Sequence, residues 1–216
     1  MVDGMREATE YTQLNPFTAI WTRPRETVRY VIEEKRTSFI IILLILTGFA
    51  GGLSGASSEE QIFSAVTVIL GSLFLGPLAI LVGISIASGI YLLFGKLFGG
   101  VGTYTEMFRA VTTSSIPQIW LLPMWLIWLL ASPATFYMEN DPLQTQADTG
   151  IGMVIGFILL AASSIVAVWT FVIQCKAVGE AHRFSAWKGF FVIVIPSFLL
   201  AVVVIFFLVA ILFTTF

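Results

Sequence analysis

The chain has 216 residues, of which 57% are hydrophobic and only 11% are charged, with a formal net charge of -2. Soluble domains carry about 25% charged residues, so this composition excludes a soluble globular protein. One cysteine and one histidine exclude an intrachain disulfide and a zinc site of Cys and His ligands within one chain. The sequence therefore predicts an all-α, polytopic membrane protein without a metal or a cofactor.

Residues 1–37 form a mostly polar N-terminal segment. It has no short apolar region with a small-residue cleavage site, so we expect the first span to act as an uncleaved signal anchor. Asn15-Pro16 predicts a short turn, and Pro24 predicts the start of a second helix. Trp21, Tyr30 and several arginines favour an amphipathic helix that lies in the membrane interface. The alternative is a solvated helical lead-in to the first span.

Five apolar stretches follow, and each is long enough, or nearly so, to cross a bilayer as a helix of about 20 residues. The second is too long for one perpendicular span, and the Gly76-Pro77 pair inside it predicts a kink. Whether residues 62–75 belong to that span or form an interfacial helix is left open. The prediction is a five-helix transmembrane bundle over residues 38–216, with spans at about 38–56, 62–95, 110–131, 150–174 and 189–213.

The basic residues have a one-sided distribution. All 11 lysines and arginines lie in the N-terminal segment, in the 95–109 connection or in the 175–188 connection, whereas the 57–61 and 132–149 connections contain only acidic charges. Short connections rich in Lys and Arg stay in the cytosol. The pattern therefore predicts a cell-membrane protein with a cytosolic N-terminus and an extracytosolic C-terminus, and a four- or six-span arrangement would break it.

Polar residues in the spans give little support for chemistry. No charged residue or histidine lies deep in a span, which argues against a proton-driven transporter and against an enzyme. Cys175 and His182 are about two helical turns apart, but no third orienting group accompanies them, so we expect an inert cysteine and a solvated loop histidine. Pairs of small residues four apart favour internal helix packing over self-association. These pairs are Gly48/Gly52, Gly83/Ala87, Ser85/Gly89, Gly95/Gly99 and Gly152/Gly156.

The stretch GTYTEMFRAVTTSSIP, residues 102–117, concentrates polar residues at the start of the third span. Thr103 and Glu106 have the spacing of a capping box. Glu106 and Arg109 are then neighbours on one helical face. The hydroxyls of residues 112–115 can bond back to helix carbonyls before Pro117. This explanation is structural and requires no catalytic role.

Three stretches together resemble the bacterial branch of the Yip1-domain family: NPFTAIWTRPRETVRYVIEEKR, GGVGTYTEMFRAVTTSSIP and CKAVGEAHRFSAWKGF. LGPLAI at 75–80 is similar to the Gly-Pro segment of eukaryotic members, although Phe74 and Leu75 stand where those have an acidic residue. Eukaryotic relatives are associated with Rab GTPases and vesicle traffic, a function that does not carry over to the bacterial branch. The resemblance implies a non-enzymatic five-span protein that acts through partners, with an ABC-type exporter among them.

We expect a membrane scaffold or accessory protein whose cytosolic face binds a protein partner. The alternative is a small transporter or channel subunit with a polar path between its spans. Membrane lipids are expected partners, nucleic acid is not, and a homo-oligomer is left open. No catalytic, cofactor-binding or metal-binding residue is predicted. The predicted partner-binding residues are the charged and polar ones on the cytosolic face: Arg23, Arg25, Arg29, Glu106, Arg109, Glu180, His182 and Arg183.

Overall fold

The computed structural model describes residues 14–57, 64–137 and 142–215, and all regular structure within them is helical. The predictions for residues 1–13 and for most of the 57–61 connection lie outside this part of the chain. The described helices, in chain order, are α1 (Pro16–Ala19), α2 (Pro24–Glu33), α3 (Thr37–Ala56), α4 (Ala65–Leu97), α5 (Tyr104–Ser114), α6 (Ile116–Ile119), α7 (Leu122–Ala131), α8 (Pro133–Phe136), α9 (Pro142–Ala181) and α10 (Ala186–Thr215).

The number of membrane-spanning helices agrees with the predicted five-helix bundle when a bent pair counts as one span. In that pair, Tyr104–Ile119 and Leu122–Ala131 meet at 43°. The protein is therefore a helical membrane protein with four spans that are each a single helix and one span that is a bent pair of helices. The four helices that are long and apolar enough by themselves are Thr37–Ala56, Ala65–Leu97, Gly152–Ala181 and Ala186–Val209.

Prolines explain why the third span is broken. Pro117 and Pro123 lie in the first turns of α6 and α7, where a missing backbone donor costs least. Before the break, the predicted back-bonding of hydroxyls is confirmed. Thr112, Thr113 and Ser114 donate to carbonyls three or four residues earlier, each at 2.7 Å.

Pro77 does not end its helix, because α4 continues without interruption from Ala65 to Leu97. The described residues before Pro77 are thus part of the same helix as the residues after it, and residues 65–75 form no separate surface helix. The bend angle at Gly76-Pro77 stays a prediction.

Helices α3 and α4 cross in backbone contact at Gly48 and Gly76. A Cβ atom on Gly48 would overlap the backbone nitrogen of Pro77, and one on Gly76 would overlap the carbonyl oxygen of Gly48. One turn further along α3, a Cβ on Gly52 would lie 2.8 Å from the Cα of Ser72. Small residues let helix backbones approach closely where lipid provides no hydrophobic drive. The packing interpretation is confirmed for this pair.

The other predicted pairs of small residues divide into two groups. Gly152 and Gly156 pack inside the bundle, where Gly156 faces the ring of Trp128. Gly95 packs against His182, but its pair partner Gly99 has no atom within 4 Å of an added Cβ, so internal packing is wrong at Gly99. Gly83 and Gly89 likewise have no neighbouring atom within 4 Å of an added Cβ, so internal packing is wrong for these two positions. Their face of α4 is instead rich in exposed apolar side chains, including Val82 and Ile86.

The predicted amphipathic helix is present as α2, and Pro24 lies in its first turn as expected. Val28 and Val31 on its apolar face are fully buried, and α2 packs on α5 and α9. The core of the bundle, rather than lipid, covers this face. Helix α2 is thereby a fixed part of the fold.

The three basic segments meet at one end of the bundle, which we call the basic end. It consists of α2, the α4–α5 loop with the first turn of α5, and the α9–α10 loop with the adjoining helix ends. Two bonds join the loops: Val101 N donates to His182 O at 3.4 Å, and Lys188 Nζ donates to Phe98 O at 3.4 Å. The charge pattern predicted that these three segments lie on the same side of the membrane, and in the fold they lie at the same end of the bundle.

Candidate functional site: the basic end

The first turn of α5 is set by the predicted capping box. Thr103 Oγ1 accepts a bond from Glu106 N at 3.3 Å, and Glu106 Oε2 accepts one from Thr103 N at 2.7 Å. Two otherwise unpaired backbone donors are satisfied in this way. The other carboxylate oxygen of Glu106 lies 3.8 Å from a guanidinium nitrogen of Arg183. The cap thus fixes Glu106 at the edge of the α9–α10 loop.

Arg109 turns away from Glu106 and holds α2. Its Nη1 donates to the carbonyl oxygens of Val31, Ile32 and Lys35 at 3.3, 3.2 and 2.7 Å. The last carbonyls of a helix have no partner within it, and the helix dipole favours a cation there. Arg109 therefore attaches the C-terminal end of α2 to α5, a structural role for a residue predicted to bind a partner.

Two further arginines attach α2 to the end of α9. Arg25 Nη2 donates to Phe184 O at 2.9 Å, and Arg29 Nε lies 2.7 Å from Glu180 Oε1. The Glu180 side chain is only 12% exposed, which makes this pair stronger than a fully solvated one. Arg25 and Arg29 therefore stabilise the packing of α2, in addition to contributing positive charge to the surface.

Arg183 is held in an unusual backbone conformation. It has a φ of +59° and follows the last residues of α9, where Phe184 N donates to Gly179 O at 2.9 Å. Glycine is the residue that usually ends a helix in this left-handed conformation, because any Cβ adds about 1–2 kcal/mol of strain. The Arg183 side chain is 72% exposed. An arginine therefore occupies a position that glycine would suit better, and its charge points outward.

A cleft of about 760 Å³ opens between α2, the first turn of α5 and the α9–α10 loop. It carries three guanidinium groups and three carboxylates. Its charged residues are Arg25, Arg29, Glu33, Glu106, Glu180 and Arg183. Arg23 lies outside the lining, 3.8 Å from Glu26. We call this opening the charged cleft.

His182 is buried, and the expectation of a solvated loop histidine is wrong. Its exposure is 1%, and its ring stacks on Phe184 with 5.2 Å between the ring centroids. The backbones of Gly95 and Gly100 lie so close to the ring that a Cβ on either would overlap it. These glycines leave the space that the imidazole fills. His182 therefore cannot contact a partner directly.

The hydrogen bonds of His182 define its protonation. Nε2 lies 3.2 Å from the carbonyl oxygen of Tyr91, which can only accept, so Nε2 carries the hydrogen. Nδ1 is buried and has no hydrogen-bond partner among the described residues. Burial lowers the pKa of His182 and Lys96 lowers it further, against the opposing effects of the Tyr91 carbonyl and Glu106. The ring is neutral at pH 7.

The free energy of unfolding should therefore decrease as the pH falls below about 6.5, the ordinary pKa of histidine. The unfolded chain then takes up a proton on His182 while the folded chain still keeps the ring neutral, so protonation favours unfolding. The decrease is at most about 1.4 kcal/mol per pH unit. Thermal unfolding in detergent between about pH 5 and 7.5 measures it. A His182→Phe variant keeps a flat ring and should lose this dependence, whereas an unchanged slope would contradict the assignment.

The structure divides the predicted partner-binding residues into two groups. Arg25, Arg109 and His182 bond to backbone carbonyls inside the basic end. The lining residues Glu33, Phe184 and Ser185 were not among the predicted residues. The signal that could have indicated the α9–α10 loop is Arg183, an arginine at a helix end where glycine is usual. The predicted residues whose side chains remain accessible are Arg23, Arg29, Glu106 and Arg183, whereas Glu180 is largely covered in its pair with Arg29.

The described residues offer no metal site, since they contain no group of three or more His, Cys, Asp or Glu side chains that could hold an ion. Cys175 is buried in α9 and packs in the apolar core around α2 and α5. The basic end is thus a surface of ion pairs and helix caps.

A helical bundle of five apolar spans with one charged end defines a multi-pass membrane protein. The sequence model of the Yip1 domain matches residues 18–209, most of the chain, and the protein belongs to this family. The resemblance noted in the sequence is thereby confirmed. No curated protein and no solved structure matches the chain significantly.

Proposed function

We propose that the protein is a non-enzymatic scaffold or accessory protein of the cell membrane and that its basic end, facing the cytosol, binds a protein partner. The observation that supports this proposal is the charged cleft, in which three arginines and three glutamates line one opening. An ABC-type exporter is the partner class that the resemblance implies. The apolar outer faces of the helices are covered by lipid.

The mixed charge of the cleft favours a protein over an anionic lipid as its occupant. A phosphate headgroup would meet the arginines but would be repelled by Glu33, Glu106 and Glu180. A polypeptide can present both signs, and complementary charge patterns give specificity and set the orientation of docking. Phe184 adds an aromatic surface to the lining.

The strained Arg183 supports the same proposal. A residue that is held in an unfavourable backbone conformation at the rim of a cleft is typical of functional sites. Glycine at this position would stabilise the turn but would remove the charge. In this proposal, the exposed charge of Arg183 contacts the protein partner.

Topology is the first test of the proposal. A reporter that is active only outside the cytosol should be active when it is fused after Phe216 or inserted near Gln144, and inactive near Gly100 or Glu180. The reason is that every lysine and arginine then lies on the cytosolic side. Activity near Gly100 together with inactivity after Phe216 would invert the orientation and remove the basic end from the cytosol.

Docking is tested best at residues that do not also hold the fold. Photocrosslinking in native membranes from a probe placed at Glu33, an exposed residue of the cleft lining, followed by mass spectrometry, identifies the partner. Co-purification of that partner is then compared between the wild type and the Arg183→Gly, Glu33→Gln double variant at equal abundance. Each lost ion pair is worth about 1 kcal/mol, so about a thirtyfold loss of affinity is expected for the two together. Arg36→Gln removes a charge outside the cleft and serves as the matched control.

The same comparison can contradict the proposal. The double variant should unfold at the same temperature as the wild type or at a higher one, because glycine relieves the strain at position 183. Full retention of the partner by this well-folded variant would show that the charged cleft is not the docking site. The double variant keeps the net charge of the wild type, so a loss in Arg36→Gln without a loss in the double variant would indicate attraction by overall charge only.

A further inference from the structure

A second cavity, of about 240 Å³, lies between α3, the α6–α7 break and α9. One of its lining residues, Ser54, belongs to α3, which begins at Thr37 beside the basic end. At 1.5 Å per residue, Ser54 lies about 25 Å along the helix from that start. Three polar side chains from three different spans line the cavity: Ser54, Gln118 and Ser163. It is therefore distinct from the charged cleft.

The hydroxyl of Ser163, like that of Ser88, lacks the bond to its own helix that three other serines in the spans make. Ser85, Ser164 and Ser197 each donate to the carbonyl four residues earlier, at 2.7 to 2.9 Å. Ser163 Oγ is buried and has no hydrogen-bond partner among the described residues. A buried polar group without a partner is costly in an apolar environment. The hydroxyl is therefore available to bond a polar group that enters the cavity.

Gln118 supplies a second, independent hydrogen-bonding group. Its carboxamide offers two donors and one acceptor oxygen, and its side chain is exposed at the break of the third span. None of the lining residues is charged. The cavity can therefore recognise a neutral group that accepts a hydrogen bond, donates one or does both, and it would disfavour an ion.

An apolar recess adjoins this cavity on α9. It is formed by Trp21 and by four residues of α9, Ser164, Ile165, Val168 and Trp169, and its volume is about 520 Å³. Residues 163 and 164 of a helix point about 100° apart, so the polar cavity and the apolar recess occupy adjacent stripes of the same helix. The two together fit a molecule with a polar group and an apolar body.

We propose that this cavity binds the neutral hydrogen-bonding group, a hydroxyl or carbonyl, of a lipophilic molecule that enters from the bilayer. Ser163 and Gln118 bond the polar group, and the apolar body lies along α9. The ligand is either the ester region of a membrane lipid or a free lipophile with the same chemistry. Each of α3 and α9 contributes only about one turn to the lining, which suits a single polar group better than a partner helix, since a helix would need a groove several turns long.

The test uses three photoactivatable probes with the same diazirine-bearing chain: a long-chain alcohol, a phosphatidylcholine and a hydrocarbon. Each probe is added to the full-length protein in lipid nanodiscs, and the labelled residues are mapped by mass spectrometry. The alcohol or the phosphatidylcholine should label the peptides around Leu121 and Val166 about fivefold more than the hydrocarbon does, the factor expected for one net hydrogen bond. Preference for the phosphatidylcholine identifies a lipid ester as the ligand, and preference for the alcohol identifies a free lipophile.

Ser163→Ala provides the sharp comparison, with Ser197→Ala as its control. Ser197 lies in α10, lines neither the cavity nor the recess, and donates to Ile193 O at 2.7 Å, whereas Ser163 lines the cavity and has no bond to its own helix. Ser163→Ala should reduce the preference for the polar probe about fivefold, and Ser197→Ala should leave it unchanged. Both changes are small and apolar, so both variants should fold. Equal labelling by all three probes, or equal effects of the two substitutions, would overturn the proposal.

Discussion

Replacing Gly48 by alanine will lower the free energy of unfolding by about 3 kcal/mol, the upper end of what overpacking costs in a well-packed interior. The added methyl would overlap the backbone of Gly76 and Pro77, where the atoms cannot move aside as a flexible side chain can. Helices α3 and α4 would have to separate along their shared length. The change is measured by thermal or denaturant-induced unfolding in detergent micelles.

Gly83→Ala is the matched control for this prediction. Gly83 lies in α4 with open space around the position of an added Cβ. Alanine has the better helix propensity, so this variant should be as stable as the wild type or slightly more stable. If Gly48→Ala and Gly83→Ala unfolded alike, the contact between the backbones of α3 and α4 would not hold the bundle together.

Features that depend on neighbouring residues could be predicted from the sequence. The Thr103–Glu106 cap and the proline that opens α2 each follow from residues within one turn. The five apolar stretches follow from composition. Clustering of the basic segments followed from the charge pattern, because the positive-inside rule assigns each connection to a side of the membrane whatever the packing within it.

Features that depend on distant residues could not be predicted. Arg109 bonds carbonyls 74 to 78 residues away, and Arg25 bonds one 159 residues away. From their charge alone, both arginines were expected to face a partner at the surface. Only the packing of α2 against α5 and α9 shows that they stabilise the fold. His182 was misplaced for the same reason, since its glycine enclosure comes from the far end of α4.

Gly95→Ala will disrupt the basic end by expelling His182. The new methyl would overlap Nε2 and Cδ2 of the imidazole, and the ring cannot retreat because Phe184 stacks on it. The bond to the Tyr91 carbonyl would be lost, and the contact between Val101 N and His182 O would weaken. We expect a loss of about 3 kcal/mol and faster amide hydrogen exchange in both loops.

The cause of that loss can be isolated because the two side chains compete for one space. In a His182→Ala background the ring is absent, so the added methyl of Gly95→Ala meets no imidazole, and the second substitution should cost little. The double-mutant cycle should give a coupling of about 2 kcal/mol or more, within the range for residues in direct contact. Gly89→Ala, in open space on the same helix, should show no coupling to His182→Ala. Additive effects of Gly95→Ala and His182→Ala would mean that the glycine does not make room for the imidazole, and the structural role assigned to His182 would then be wrong.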